Sequence, residues 1–376
     1  LLFNVYGGST PKVNVPEYWG DKITWITPGE LGDDIKIVLN SKRMLSEKGL
    51  NSCGATLAPK GSIIISNRAP IGQVCLAGRE LCTNQGCKSL VAKIKLSCLF
   101  FYYFFKVQSE VLNMLGNGTT FMELSASDLL NFKIPFPPLK TQQKIADYLD
   151  EKCGEIDATI AKQKEIIEKL KAYKQSLISE TVTKGLDKSA PLKPSGIEWI
   201  GDIPNDWEVR KLLSIFKEHK DRNKNLEEQN LLSLSYGKIK RKDINNNDGL
   251  LPASFETYNI VENGDIVFRL TDLQNDKRSL RTGIVTQRGI ITSAYVTIRP
   301  KIRLDSRFFH YLYHMYDICK VFYGMGDGVR QGMGFEDLKN IPTLIPPLKT
   351  QQKIADYLDS KCSQIDKYIT EKQNII

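Results

Sequence analysis

The fourteen-residue string PPLKTQQKIADYLD occurs twice in this chain, at 137–150 and at 346–359, and every letter is identical. The two copies lie 209 residues apart, whereas the repeats of solenoid proteins are roughly 20–50 residues long. The repeated unit is therefore a whole domain with its connector. Each copy closes a long segment and opens a helical pattern, so the predicted order is globule, helix, globule, helix.

The similarity extends beyond the identical block in both directions. Downstream, EKCGEIDATIAKQKEII at 151–167 and SKCSQIDKYITEKQNII at 360–376 keep the same register. Upstream, SDLLNF at 127–132 corresponds to EDLKNI at 336–341, and each is preceded by an aromatic run. The chain is thus predicted to hold two diverged copies of one globule, called here the first and second heads.

We predict an α+β fold in which two mixed α/β heads are joined by long helices that form an antiparallel coiled coil with a pseudo-twofold axis. The first head is expected to be incomplete at its N-terminus, because GIEWIGDIPNDWEV at 196–209 has no counterpart in it. The second helix is expected to be incomplete at its C-terminus. The predicted segments are the first head (1–136), the first spacer helix (137–185), a linker (186–195), the second head (196–345) and the second spacer helix (346–376).

Steps of three and four between apolar residues predict an apolar seam on both spacer helices. Thr141 is the predicted N-cap of the first helix and Gly185 its predicted stop. Identical seams favour pairing of the two helices; the alternative is that each packs only on its own head. The predicted seam residues are Ile145, Leu149, Cys153, Ile156, Ile160, Ile167, Leu170, Tyr173 and Leu177, then Ile354, Leu358, Cys362, Ile365 and Ile369.

Composition sets weaker limits on function. The net charge of +9 is spread along the chain and is compatible with a polyanionic partner. Eight cysteines without a CxxC pair predict free thiols. The longest apolar run, at 99–105, is much shorter than the ~20 residues needed to span a bilayer, so we expect a cytoplasmic protein without a membrane partner.

Loops between the strand-like runs of each head are rich in glycine, asparagine, threonine and basic residues. Arginine and lysine favour guanine edges, and backbone N–H groups donate hydrogen bonds to phosphate oxygens. Any one of these loops could equally be a solvated turn, and only the two-headed layout favours them together. The predicted DNA-binding residues are Lys12, Arg68, Lys88, Thr119, Thr120, Lys238, Lys240, Arg241, Arg269, Arg281, Arg330 and Gln331.

Six longer motifs stand out in the chain: YGGSTPKVNVPEYWGDKITWITPGELG at 6–32, SNRAPIG at 66–72, TNQGCKSL at 83–90, GTTFMELSASDLLNFKIPFPPLKTQQKIADYLD at 118–150, SGIEWIGDIPNDWEV at 195–209 and GVRQGMGFEDLKNIP at 328–342. Through these motifs, nearly the whole chain resembles the specificity (S) subunit of type I restriction–modification enzymes. The resemblance implies that each head is a target-recognition domain that reads one half of an interrupted DNA site. It also implies that the helices set the gap between the half-sites.

The resemblance further implies two modification (methyltransferase) subunits docked on the helices, with restriction (translocase–nuclease) subunits joining them. The block is identical while the heads have drifted, which indicates that both copies face the same partner. Recent gene conversion is the alternative. The predicted docking residues are Gln142, Gln143, Lys144, Asp147, Gln351, Gln352, Lys353 and Asp356.

No catalytic constellation is apparent in the sequence. It lacks an Asn/Asp-Pro-Pro-Tyr/Phe string and a Walker A motif, and the glycine-rich stretch at 324–334 is predicted to be a loop. His310 and His314 lack the glutamate and third ligand of a zinc site and are interpreted as core or surface residues. A non-enzymatic subunit with no metal of its own is predicted. The resemblance implies that AdoMet, ATP and Mg²⁺ are bound by partner subunits.

Two alternatives remain open from the sequence. The chain could be the recognition fragment of a fused restriction–methyltransferase enzyme, which sequence upstream of Leu1 would reveal. It could also be a coiled-coil scaffold that contacts no nucleic acid, which failure to bind duplex at any salt concentration would indicate.

Overall fold

The computed structural model describes residues 2–32, 35–116, 122–243, 254–271, 273, 280–324 and 332–376. Contacts divide the chain into two compact units, Leu1–Thr159 and Ile160–Ile376. The division falls inside the first spacer helix. Each part of that helix therefore belongs with the unit in which it makes its contacts.

The first unit mixes strands and helices, as predicted for an α+β head. Two sheets have the strand orders β1-β9-β6-β7-β4 and β2-β5-β3-β8. The elements are β1 (Phe3–Gly7), β2 (Trp19–Gly20), β3 (Ile23–Ile26), β4 (Ile37–Val38), β5 (Met44–Leu45), α1 (Glu47–Asn51), β6 (Ile63–Ser66), β7 (Val74–Ala77), β8 (Cys82–Thr83), β9 (Cys87–Ala92), α2 (Cys98–Val107), α3 (Ser109–Met114), α4 (Ala126–Asn131) and the start of α5 (Leu139–Lys184), the first spacer helix.

The second unit repeats this mixture after the end of α5. Its largest sheet has the order β13-β20-β17-β18, and three of its two-stranded sheets are β14-β15, β16-β19 and β12-β21. The predicted linker at 186–195 contains a strand that pairs with β11. The elements are β10 (Leu192–Pro194), β11 (Asp202–Pro204), β12 (Glu208–Lys211), β13 (Phe216–Glu218), β14 (Leu232–Ser235), β15 (Lys238–Arg241), β16 (Asn259–Val261), β17 (Ile266–Phe268), β18 (Thr282–Ile284), β19 (Gly289–Ile291), β20 (Val296–Pro300), α6 (Ser306–Ile318), α7 (Phe335–Leu338), β21 (Pro342–Ile345) and α8 (Leu348–Gln373), the second spacer helix.

The main sheets of the two heads have the same strand order although their sequences have diverged. The antiparallel order β1-β9-β6-β7 corresponds to β13-β20-β17-β18, and Ile63 pairs with Leu90 as Ile266 pairs with Ile298. An aromatic helix packs into the core of each head, α2 in one and α6 in the other. The duplication predicted from the sequence is therefore a duplication of fold.

Helix α5 begins three residues earlier than predicted. The carbonyl of Pro138 accepts the N–H groups of Thr141 and Gln142 (2.8 and 3.0 Å), so the helix starts at Leu139 and Thr141 is not its N-cap. Gly185 ends the helix as predicted, because its φ of +77° is left-handed and its N–H donates to the Thr181 carbonyl. The 46 residues of α5 correspond to a length of about 69 Å.

The predicted seam of α5 is only partly buried. Ile167 is buried, but Ile156 and Tyr173 are each 57% exposed, while Ile178 and Val182 are buried although they were not predicted to be. A straight helix has 3.6 residues per turn, so residues chosen in steps of three and four do not stay on one face. The stripe that they form moves gradually around the helix. Different parts of α5 consequently present different faces to their neighbours.

The second part of α5 pairs with α8 inside the second unit. Ile178 and Val182 share a core cluster with Ile354 and Leu358, and the Lys174 ammonium lies 2.7 Å from the Asp366 carboxylate. Later residues of α5 thus group with earlier residues of α8, the order of an antiparallel pair. The pseudo-twofold relation between the two halves stays a prediction.

The state of the cysteines agrees with the expectation from composition. All eight cysteines lie in the part of the chain that the structure describes, and all are free thiols as predicted. Within the same part of the chain, no helix has both the length and the apolar content needed to cross a bilayer.

Candidate nucleic-acid interface

Three loops of the first head that were predicted to read DNA meet at one end of its main sheet. The Ser9 N–H donates to the Thr83 carbonyl and the Asn67 N–H to the Gly86 carbonyl, each over 2.9 Å. A Cβ on Gly8 would lie 1.9 Å from the Asn84 oxygen, so glycine is required for this close approach. We call residues 7–12, 66–72 and 84–88 the first loop cluster.

Arg68 lies in the first loop cluster and is 45% exposed. Its Nε and Nη2 atoms lie 3.0 and 2.9 Å from Glu123 Oε2, while Asn67 Nδ2 donates to Glu123 Oε1 over 2.8 Å. An ion pair this exposed contributes only about 0–1 kcal/mol, so Arg68 could exchange Glu123 for a phosphate or a base edge. Glu123 was missed from the sequence, although it lies only three residues after the predicted loop at 116–120.

The other predicted residues of the first head differ in accessibility. Lys12 is exposed, and Lys88 is half-buried in β9, where it pairs with Gly7 on one side and Ile65 on the other. Thr119 and Thr120 lie outside the described residues. The chain that follows them reaches the first loop cluster, because the Leu124 N–H donates to the Asn67 carbonyl (2.8 Å).

The second head repeats one of these backbone connections at the equivalent end of its sheet. The Met333 N–H donates to the Leu270 carbonyl over 2.9 Å, as Leu124 does to Asn67 in the first head. The Arg269 N–H donates to the Arg281 carbonyl over 2.8 Å. We call residues 269–271, 280–281 and 332–334 the second loop cluster; Arg330 and Gln331, which precede its last segment, lie outside the described residues.

The prediction that Arg281 contacts DNA is wrong for this structure. Its side chain is fully buried, with 0% exposed. The guanidinium donates to the carbonyls of Arg269 and Thr271 (3.2 and 2.7 Å) and to the Tyr323 hydroxyl (3.1 Å). A planar group with five N–H donors can join several buried carbonyls, so Arg281 holds the second loop cluster together from inside. Arg269 itself is half-buried.

The remaining basic candidates of the second head lie on the β14–β15 hairpin. Lys238, Lys240 and Arg241 are all exposed, and Lys238 and Lys240 lie on the same face of β15 because side chains alternate along a strand. Lys238 Nζ lies 3.8 Å from the Asp366 carboxylate of α8. The hairpin adjoins β18 of the main sheet. Lys240 and Arg241 are therefore accessible to a polyanion.

Two of the predicted docking residues are buried, and the prediction is wrong for both. Gln142 Oε1 accepts the Ser97 N–H (2.9 Å) and its Nε2 donates to the Pro137 carbonyl (2.8 Å). Gln351 makes the same two hydrogen bonds, from the Asp305 N–H (3.0 Å) and to the Pro346 carbonyl (2.8 Å). If this face of the helices were exposed to solvent, the backbone groups that bind the two glutamines would lose these hydrogen-bond partners.

The other six predicted docking residues lie at the surface of the helices. Gln143 donates to Asp147 over 2.9 Å on α5, and Asp356 on α8 contacts Arg307 Nη1 over 2.8 Å. Both copies therefore keep an exposed polar stripe of identical sequence. The residues of these stripes are Gln143, Lys144, Asp147, Gln352, Lys353 and Asp356.

His310 and His314 lie on the aromatic helix α6, one turn apart. Burial lowers the pKa of His310 to about 4 and that of His314 to about 3. Across the described ranges, no three His, Cys, Asp or Glu side chains form a group that could bind a metal ion. The two imidazoles are neutral packing residues at neutral pH.

Comparisons with known proteins show which family and which proteins this chain is similar to. The family described as "Type I restriction modification DNA specificity domain" matches residues 2–172 and 204–375. The chain is 36% identical over 226 residues to the type I restriction enzyme MjaIX specificity subunit of Methanocaldococcus jannaschii, covering 57% of this chain and 49% of that protein. It is 26% identical over 205 residues to the Escherichia coli EcoR124I/EcoR124II specificity subunit, covering 53% and 45%. The chain thus spans about half the length of these curated relatives.

Two solved structures share the fold over nearly their whole length. One comes from work on complex assembly and conformational transition of the type I R-M system. It has a TM-score of 0.69 at 15% identity and covers 99% of this chain and 91% of that one. The HsdS subunit from Thermoanaerobacter tengcongensis has a TM-score of 0.55 at 14% identity and covers 100% and 93%.

Proposed function

We propose that this chain, which belongs to the type I restriction modification DNA specificity domain family, is the DNA-recognition subunit of a type I restriction–modification complex. Each head reads one half of a bipartite double-stranded DNA site. The spacer helices set the distance between the two half-sites. The chain itself does no chemistry, consistent with the lack of methyltransferase and Walker A motifs in its sequence.

One observation carries this proposal: in each head, a matching backbone hydrogen bond brings loops together at the equivalent end of the main sheet. Leu124 donates to the Asn67 carbonyl in one head and Met333 to the Leu270 carbonyl in the other. The strands are rigid supports, and the loops they carry are free to vary. This combination suits two readers of one architecture that recognise different sequences.

The partners follow from the exposed stripes of the spacer helices. We propose that the stripe on α5 and the identical stripe on α8 each dock one modification subunit, and that restriction subunits join the assembly. AdoMet, ATP and Mg²⁺ would be bound by those subunits. We further propose a cytoplasmic location, since DNA and the methyl donor are both available there.

The test is to co-express the chain with its modification subunit and to map methylated bases across a plasmid library. The expected result is one asymmetric split motif with a fixed gap. Inserting about seven residues, or two helical turns, within 155–175 of α5 should lengthen that gap and leave both half-sites unchanged. A gap that is the same after the insertion would contradict the role of the helices, and loss of both half-sites' preference would contradict that of the heads.

A further inference from the structure

Each head meets its spacer helix through three residues that are identical in the two copies of the repeated block. In the first unit they are Gln142, Ala146 and Asp150; Gln142 and Ala146 are fully buried. Residues four apart lie on one face of a helix, so the three form a stripe that faces the head. The same positions of α8 are occupied by Gln351, Ala355 and Asp359.

The carboxylate of each stripe accepts a hydrogen bond from a tyrosine of the aromatic helix. Tyr103 Oη donates to Asp150 Oδ1 over 2.8 Å in the first unit. Tyr311 Oη donates to Asp359 Oδ1 over 2.8 Å in the second. The two tyrosines are equivalent, because each lies six residues after the residue that caps its helix, Ser97 or Asp305.

A cation also contacts each carboxylate, but it comes from a different place in the two units. Lys36, in the segment before β4, forms an ion pair with Asp150. Arg307, in the first turn of α6, contacts Asp359 over 2.8 Å. The same local arrangement is thus reached with residues that do not correspond in sequence. Drift elsewhere in the heads has left the arrangement itself intact.

We propose that these contacts form a locking joint, in which Gln142 and Asp150, and likewise Gln351 and Asp359, are positioning residues that hold each head in one orientation on its helix. The inference rests on the proposed function, because the orientation of a head would decide which gap between half-sites the protein accepts. It assigns to the identical block a role in addition to docking. Four of the fourteen residues in each copy belong to this joint. They are the glutamine, alanine and aspartate that face the head, and the proline whose carbonyl accepts the hydrogen bond from the glutamine amide.

Directional contacts are what such a role requires. Hydrogen bonds depend steeply on distance and angle, whereas an apolar contact such as that of Ala146 or Ala355 permits small sliding and rotation. The Gln142 amide joins the cap of α2 to the start of α5, so both ends of the contact are backbone. The Tyr103–Asp150 hydrogen bond fixes a second point two turns further along the helix. Because these two hydrogen bonds are separated along the helix, together they restrict the orientation of the head more than either one would alone.

The experiment compares Gln351→Leu and Tyr311→Phe with the control Gln364→Leu, an exposed glutamine of α8 outside the joint. Tyr311→Phe keeps the ring and removes only the donor, so it remains informative if Gln351→Leu does not fold. The first readout is the distance distribution between spin labels on non-canonical residues at Lys217 of β13 and Lys361 of α8, both exposed. The second is the range of gaps methylated when the 376-residue chain acts with its modification subunit.

Loss of the joint should widen the distance distribution at least about twofold, because directional hydrogen bonds are replaced by contacts that allow sliding. Sites with a gap one base pair too long or too short should rise to within about tenfold of the preferred site, while both half-site sequences stay unchanged. A merely structural role would lower methylation at all sites together without changing the preferred gap.

Each outcome decides a different point. An unchanged distance distribution in both variants would overturn the joint, whatever happens on DNA. A wider distribution with an unchanged gap preference would overturn the positioning role and leave the proposed function intact. If the unaltered chain directs no site-specific methylation, the proposed function itself fails, while the distance measurement still reports on the joint.

Discussion

The two copies of PPLKTQQKIADYLD have the same letters and different surroundings. Ile145 on α5 is 38% exposed, whereas its counterpart Ile354 on α8 is 0% exposed. Further along, Ile156 is 57% exposed and Ile365 only 6%. An identical amphipathic sequence therefore specified the same helix twice, and the neighbours of each helix decided how much of its apolar face was removed from water.

The surroundings of the seam differ in the second unit. There, Ile354 and Leu358 belong to the main core cluster of the unit, to which the second part of α5 contributes Ile178 and Val182. The head-facing stripe behaves differently, since Gln142 and Gln351 are buried in both units. The glutamine contacts between a helix and its own head were thus duplicated, whereas the burial of the seam was not.

The largest expected difference between the copies comes from shortening their matched isoleucines. Ile354→Ala should lower the free energy of unfolding of the second unit by about 2–5 kcal/mol, because it removes methyl groups from a packed core. Ile145→Ala should cost less than about 1 kcal/mol, as expected at a partly exposed position. Denaturant unfolding, monitored in each unit by hydrogen exchange, would measure the cost of both substitutions. Equal costs would show that the two seams are equally covered in solution.

The two loop clusters should differ in how much a substitution at corresponding positions destabilises their units. Arg281→Met should destabilise the second unit by about 2–4 kcal/mol, since it leaves the carbonyls of Arg269 and Thr271 without their buried donors. Gln73→Met, at the corresponding half-buried position of the first head, should cost less than about 1 kcal/mol. Thermal unfolding measures the two variants. A stable Arg281→Met protein that had lost only DNA binding would restore the original interpretation of Arg281 as a base-reading residue.

Acid should weaken the second unit more than the first. All three histidines lie in the second unit, and the positions in α2 that correspond to His310 and His314 are Tyr102 and Lys106. The folded pKa values of about 4 and about 3 lie below the unfolded value of about 6.5. Between these values the unfolded state binds more protons, so stability falls as the pH falls.

The expected loss between pH 7 and pH 5 is about 2 kcal/mol for each of the two histidines, or about 2–4 kcal/mol in the second unit. Hydrogen exchange at both pH values would measure it, and amides of the first unit serve as the internal control. Replacing both residues, with His310→Gln and His314→Gln, should flatten the pH dependence of the second unit. A dependence that persists in this double variant would exclude the two imidazoles as its source.

The smallest effect is expected from exposed basic residues of the heads. Lys240→Gln on the β14–β15 hairpin and Lys12→Gln in the first loop cluster should each reduce the slope of log K against log salt by about 1 on cognate DNA. Lys367→Gln, on the exposed face of α8, serves as the control and should leave the slope unchanged. If all three variants had the same slope, Lys12 and Lys240 would not belong to the DNA interface.

Much of the fold could be predicted from the sequence because the repeat gave two independent views of one unit. The shared register predicted two α+β heads and two long helices, and Gly185 marked the end of α5 because few residues other than glycine adopt its left-handed backbone. The start of α5 was predicted three residues too late, because Thr141 had the chemistry of an N-cap. In the structure the Pro138 carbonyl already accepts the Thr141 N–H.

The candidate site was harder to predict because residue type does not reveal which way a side chain faces. Arg281 and Lys240 are both basic and both lie in or next to glycine-containing loops, yet one is fully buried and the other exposed. Gln142 and Gln143 are adjacent and chemically identical. One binds the backbone of the first head and the other lies at the surface.

By itself, the sequence determined that this chain consists of two related halves, where its long helices lie, and which family it resembles, because these follow from local periodicity and from letters shared at a constant offset. Only the tertiary structure decided which polar residues make internal contacts, such as Gln351 and Arg281, and which remain available to a partner. The physical reason is that burial depends on residues distant in sequence, such as Asp305 for Gln351, whose approach no local pattern encodes.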